Sequence, residues 1–280
     1  PAIGHKQMRA GAIGLCCATV GEAEVMVYSG IPEVMIANEI VDPLSVRRAV
    51  NLARQARVLM IVDDPENVRN IGAAARQYGA MVDVLVDLDV GQGRCGARSL
   101  EALVELAREV ERTKGIRLRG VFGYEGHVQF IPDRQERTAK GQDANGRLVR
   151  AAKELLGLGM NIEIVSGAGT GTYDIAGEFP GITEIQAGSY VFMDVEYEDC
   201  GAIDGQAWPF QQALFIATSV VSARHKTHVV CDSGLKAHSV DGPPARVVAG
   251  APQGTRWRPM GDEHSALFHP AMMGVIKAAG

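Results

Sequence analysis

No apolar run in this 280-residue chain approaches the roughly 20 residues a helix needs to cross a bilayer. The opening residues, Pro1-Ala2-Ile3-Gly4-His5-Lys6, lack the apolar core of a secretory signal. They also lack an initiator Met, so a natural start upstream of Pro1 is expected. Excess positive charge is missing too. With a net charge of -5 and 22% charged residues, the chain offers no basic face to nucleic acid. Cysteines number five, an odd count without metal spacing, and Cys16 and Cys17 are adjacent inside an apolar run. Buried free thiols in a reducing cytoplasm are the expectation. Glycine, by contrast, is plentiful at 33 residues, which suits many tight loops between short elements.

What is present is a rhythm. Ala2 to Ala10 reads as a helix closed by Gly11, and Ala12 to Cys17 as a short apolar strand. Gly21 to Tyr28 is helical and Glu33 to Ala37 a strand. Asp42-Pro43 and Asp64-Pro65 each open a helix, with proline where its missing N–H costs little. Val58–Val62 and Val82–Leu88 are strands, and Ser99 caps a charged amphipathic helix to Lys114. Arg117–Gly123 is the next strand. A long helical stretch from about Arg134 to Leu156 could break near Gly141 or Gly146. Ile162–Val165 and Ile182–Ala187 complete the series.

Short apolar strands alternating with helices imply a parallel sheet with helices outside. The series holds seven strands, and a closed (β/α)8 barrel needs eight. The expected fold is therefore α/β: a TIM-type barrel whose first strand lies upstream, with an open doubly wound sheet as the competing architecture. On the barrel reading, residues 1–209 form the barrel. From about residue 210 the rhythm changes. Ala213–Val221, His228–Cys231, Val247-Val248 and the segment to His264 read as strands and turns of a partial β domain, 210–280. Barrels often bind phosphate with the loops after their last two strands. Ser166-Gly167-Ala168-Gly169-Thr170-Gly171-Thr172 follows one of these strands and Gly188-Ser189 the other. Such turns let free N–H groups and hydroxyls converge on an anion.

Several stretches together resemble a known family. They are Cys16-Cys17-Ala18-Thr19-Val20-Gly21-Glu22-Ala23-Glu24, Asp89-Val90-Gly91-Gln92-Gly93-Arg94-Cys95-Gly96, the Gly167 turn, Gln186-Ala187-Gly188-Ser189-Tyr190-Val191-Phe192-Met193-Asp194, Asp232-Ser233-Gly234-Leu235-Lys236 and Asp262-Glu263-His264. In order and over nearly the whole chain, they are similar to D-threonine aldolases and 3-hydroxy-D-aspartate aldolases. D-serine dehydratases of the same superfamily share most of them. The resemblance implies the alanine-racemase fold: a barrel carrying pyridoxal 5'-phosphate and a β domain bearing a divalent metal (Mn, Mg or Zn).

Carried over by residue, the resemblance gives the phosphate to Thr170, flanked by Gly169 and Gly171, and to the backbone of Gly188 and Ser189. It gives Tyr197 a cofactor contact and points Arg94 at the phenolic oxygen of the ring. Ala18 departs from the Gln of many relatives. The family's Schiff-base lysine sits in a His-x-Lys-x-His-Lys stretch just before a Pro-Ala-Ile segment, so it is expected upstream of Pro1, and Lys6 is not that lysine. The metal ligands are expected downstream of His264, with none in this chain; His269-Pro270 does not match them. His127, just past a strand end, is a candidate base or substrate-orienting group. Lys236, Glu263 and His264 lie in family motifs, whereas His225, His228 and His238 lack metal spacing.

The implied reaction is retro-aldol cleavage of a D-β-hydroxy-α-amino acid to glycine and an aldehyde. Alternatives are D-serine dehydration to pyruvate and ammonia, a racemase of the same fold, and a barrel that binds the cofactor without turnover. Relatives are usually dimers. A chain lacking the lysine and the first strand is expected to be inactive alone.

Overall fold

The structure is a computed structural model that describes residues 1–202 and 206–269. It divides into two units, the first Pro1–Gly188 and the second beginning at Ser189. The first unit holds seven strands: β1 (Leu15–Cys17), β2 (Glu33–Glu39), β3 (Arg57–Val62), β4 (Val82–Asp87), β5 (Ile116–Gly123), β6 (Ile164–Gly167) and β7 (Glu184–Ile185). All neighbours pair in parallel and lie in chain order from β1 to β7. A doubly wound sheet would reverse its strand order partway, so that architecture is excluded. The sheet also curls. The Cys16 thiol of β1 donates to Gln186 Oε1, just past β7, at 3.2 Å, so the two edges face one another.

Alternation along each strand splits the core in two. Met35, Leu59, Ile61, Leu85 and Phe122 pack together on the inner face. Their neighbours Val34, Ile36, Val58, Met60, Val84 and Val121 pack outward against the helices. Burial on both faces explains why these strands read as unbroken apolar runs.

The helices of this unit are α1 (Ala2–Arg9), α2 (Val20–Tyr28), α3 (Pro43–Leu52), α4 (Pro65–Tyr78), α5 (Leu100–Arg112), α6 (Arg134–Gly157) and α7 (Tyr173–Gly177). Their starts are chemically marked. Thr19 and Glu22 form a reciprocal capping box on α2. Asp42, Asp64, Ser99 and Asp133 accept first-turn N–H groups of α3, α4, α5 and α6. Two expectations change here. α6 runs unbroken through Gly141 and Gly146, and a Cβ added at Gly141 would only just meet Ile175, at 3.4 Å. β7 is only two residues long, since Ile182 turns back onto the Phe179 carbonyl and the Thr183 hydroxyl accepts from Val165 N–H.

At the amino rim, Asp83 of β4 is a charge hub. It receives Arg57 at 2.9 Å, Arg117 at 2.7 Å and Arg119 at 2.7 Å, and is only 3% exposed. Glu33 and Glu163 extend this belt from β2 to the entry of β6.

The second unit holds α8 (Val195–Cys200) and an antiparallel sheet of β8 (Val220–Ser222), β9 (Val229–Cys231), β10 (Arg256–Pro259) and β11 (Ser265–Phe268), ordered β10-β11-β9-β8. The expected strand over 213–221 shrinks to its end. Asp232 Oδ1 takes the Ser219 N–H and the Thr218 hydroxyl, replacing ladder bonds, while Leu214, Phe215 and Ile216 stay exposed. Val247-Val248 is not a strand; only a bridge between Arg246 and Arg256 forms nearby. β11 was not foreseen. Gly234 lets the Gly261–His264 turn close on it, since an added Cβ would stand 2.4 Å from His264 N and 2.5 Å from the Gly261 and Asp262 carbonyl oxygens. Of the tail beyond His264, residues from Pro270 on lie outside the described residues.

Candidate active site at the carboxyl rim

In a parallel barrel every strand delivers its carboxyl end to one rim, and chemistry gathers there. The β4–α5 loop is wound about Asp89. Its Oδ1 accepts the N–H groups of Gly91 and Gly93, each at 2.9 Å. Partial burial disfavours the Asp89 charge, yet these amides outweigh it and hold the carboxyl below its usual range. Gly96 N–H donates to Asp63 Oδ2 at 3.1 Å. Gly91, Gly93 and Gly96 all adopt positive φ, so here the glycines serve the winding of the loop. Arg94 rides on this loop, with its guanidinium carbon 5.7 Å from the centre of the Tyr124 ring.

Beside Arg94 lies a cluster that sequence reasoning missed. Glu39, Asp63 and Cys95 bring one ligand atom each within 4.8 Å of one another. Asp87 joins them. Burial first, then the charge and hydrogen bond of Glu39 and the charge of Asp63, push its carboxyl up to about 8, with Arg94 opposing. Burial and Glu39 also push the Cys95 thiol up to about 11, so it stays protonated near neutrality. The available signal was positional: Glu39, Asp63 and Asp87 sit at or just past the ends of three successive strands.

Past β5, Tyr124 and Glu125 lead into a 3-10 turn over Gly126–Val128. His127 packs against Gly91 and lines an open depression of about 340 Å³ with Val90, Lys140, Asp143 and Arg147. Arg94 lines a different, tight cleft with Asp87, Gln92, Cys95 and Tyr124. The structure therefore does not bring His127 into the Arg94 cleft.

The turn after β6 is buried throughout. Thr170 and Thr172 are inside, and Ala168 takes the left-handed conformation with φ 62°. Glu125 and Gln129 hold this turn; Glu125 lies just past the end of β5, where His127 was also marked, whereas no sequence signal pointed to Gln129. Gly169 and Gly171 abut Gln129 so closely that a Cβ would overlap it. Gly188 follows β7 on the same rim, and no atom lies within 4 Å of where its Cβ would stand. In the second unit, Ser189 begins a 3-10 turn over Ser189–Val191. There Tyr197 is buried with its ring edge-on to Trp208, at 6.2 Å between centroids. Lys236 is exposed and pairs with Glu263 at 2.6 Å.

Fold and rim define a TIM-type barrel with a small antiparallel β unit. Residues 3–196 match the family model described as "Alanine racemase, N-terminal domain", and residues 213–274 that described as "Putative serine dehydratase domain". The chain belongs to the alanine racemase N-terminal domain family, and D-threonine and 3-hydroxy-D-aspartate aldolases are among its close homologues. A D-threonine aldolase of Arthrobacter sp is 35% identical over 268 residues, covering 95% of this chain and 69% of that protein. A 3-hydroxy-D-aspartate aldolase of Paracoccus denitrificans is 36% identical, covering 82% and 61%. The crystal structure of D-threonine aldolase from Filomicrobium marinum superposes with a TM-score of 0.90 at 35% identity, over 96% of this chain and 72% of that one. The chain thus spans about three fifths to seven tenths of these relatives. Among the described residues, no helix is long and apolar enough to cross a membrane.

Proposed function

We propose that the full protein is a pyridoxal-phosphate- and metal-dependent lyase that cleaves D-β-hydroxy-α-amino acids to glycine and an aldehyde. The observation that carries this is the match, at TM-score 0.90 and 35% identity, to a D-threonine aldolase. The rim supports it chemically. The cofactor presents a phosphate and a ring phenolate, both anionic. Arg94 offers a cation on a loop braced by Asp89 and Asp63, and Gly188 is exposed.

Thr170 and Gly188 would hold the phosphate, and Arg94 the phenolate. Gly169 and Gly171 would flank Thr170 in this turn, each standing close against Gln129. When bound, pyridoxal phosphate supplies the conjugated ring that takes up the electron pair left at the substrate α-carbon. A divalent ion would lower the pKa of the substrate β-hydroxyl. The residues of this chain bind and orient. Arg94 would fix the ring through its phenolate oxygen, and the phosphate turn would anchor the phosphate arm. His127 would take a proton only if a substrate reached the depression it lines. The reading includes a homodimer in the cytoplasm.

D-serine dehydration is the second reading, favoured by the serine dehydratase domain match over residues 213–274. Incubating the full-length protein, cofactor and Mn2+ with D-threonine and with D-serine tests both. Glycine and acetaldehyde support the first, pyruvate and ammonia the second. A bound but unreactive cofactor would mark a carrier instead.

A further inference from the structure

We infer that Glu125, Gln129 and Thr172 are positioning residues that hold the phosphate turn in its binding shape before the cofactor arrives. This rests on the cofactor reading above. Four of the turn's backbone donors are consumed internally, three by side chains and the fourth, Thr172 N–H, by the Gly169 carbonyl oxygen. Ala168 N–H donates to Glu125 Oε2 at 3.1 Å, Gly169 N–H to Thr172 Oγ1 at 3.2 Å, and Gly171 N–H to Gln129 Oε1 at 2.8 Å. The acceptors are themselves linked. The Thr172 hydroxyl donates to Glu125 Oε1 at 2.5 Å, and Gln129 Nε2 donates to Thr172 Oγ1 at 2.9 Å. A weaker bond joins Gln129 Nε2 to Glu125 Oε1 at 3.4 Å.

All three side chains are buried, with Glu125 1% exposed and Gln129 and Thr172 0% exposed. A buried carboxylate is costly unless its lone pairs are filled, and here they are filled by the turn. The consequence falls on Thr170. It lies between Gly169 and Gly171, and each of these is pinned, one through Thr172 and the other directly by Gln129. The glycines fit the same account. An added Cβ would stand 2.6 Å from Gln129 Oε1 at Gly169 and 2.2 Å from the Gln129 carbonyl oxygen at Gly171. Glycine is needed there so that Gln129 can come close. The left-handed Ala168, uncommon for a residue with a Cβ, is held by its bond to Glu125. A turn held by its own protein does not lose conformational freedom when the ligand binds, and affinity gains accordingly.

The test uses the full-length protein. Affinities for pyridoxal 5'-phosphate and for pyridoxal, which lacks the phosphate, are measured for wild type, Gln129→Met, Thr172→Val and Thr172→Ser. The 31P shift of the bound cofactor is recorded alongside. Gln129→Met and Thr172→Val are expected to weaken pyridoxal phosphate about tenfold, leave pyridoxal unchanged and shift the 31P line, while Thr172→Ser restores wild-type behaviour. If both ligands weaken equally, or neither does, the positioning role is overturned. If Gln129→Met does not fold, the Thr172 pair decides alone. A wild-type protein that prefers pyridoxal phosphate no more than pyridoxal would instead sink the cofactor reading itself.

Discussion

Arg94 stands over the face of Tyr124, 5.7 Å from guanidinium carbon to ring centre, although thirty positions of chain separate them. The pair is set by one carboxylate, because Asp89 winds the loop that carries Arg94.

Asp89→Ala should therefore unwind that loop. Two amide bonds to a charged acceptor are lost, a cost of about 2 kcal/mol in denaturant unfolding. Cofactor affinity should fall with it, because the cation is no longer fixed. Asp89→Asn, which keeps an acceptor oxygen, should recover most of both.

Asp83→Ala removes the anion shared by Arg57, Arg117 and Arg119. Arg119 is largely buried and keeps only Glu163, while Arg57 keeps Glu33, so losing the shared anion should cost about 1.5–3 kcal/mol. Glu105→Ala, which breaks an exposed pair with Arg108 on α5, should cost under about 1 kcal/mol. The urea midpoints of the two variants separate a hub from a surface pair.

Asp87 predicts a pH dependence. Burial, Glu39 and Asp63 raise its folded pKa to about 8 from an ordinary 3.8. Between these values the folded state holds a proton that the unfolded chain has released. Asp87 therefore makes stability fall as pH rises through that window and level off above it. Asp87→Asn should flatten this slope, which thermal melts from pH 5 to 9 would read.

Gly234→Ala should disturb the second unit, since its Cβ would press on three backbone atoms of the Gly261–His264 turn at 2.4–2.5 Å. A loss of about 1–3 kcal/mol is expected, read from hydrogen exchange at β9 and β11.

Much of the barrel was legible in the sequence. β3 and β4 are buried on both faces and so read as Val58–Val62 and Val82–Leu88. Asp42-Pro43, Asp64-Pro65 and Ser99 announced their helices because caps are local chemistry. What escaped depends on distant partners. Gln129 meets Gly171 across 42 positions, and nothing in its neighbourhood advertises this. Gly169 and Gly171 read as ligand glycines, and their close approach to Gln129 could not be read beside them. Ala213–Val221 read as a strand, but only Val220–Ser222 forms one, because Asp232 captured the Thr218 and Ser219 donors. Glu39, Asp63 and Asp87 become neighbours only once three strands lie side by side.

The most direct measurement is product analysis of the full-length protein with D-threonine, pyridoxal phosphate and Mn2+. Glycine and acetaldehyde should appear in equal amounts, and removal of either the cofactor or the metal should abolish them. Formation of L-allo-threonine or of 2-oxobutanoate and ammonia, with no aldehyde, would contradict the assignment.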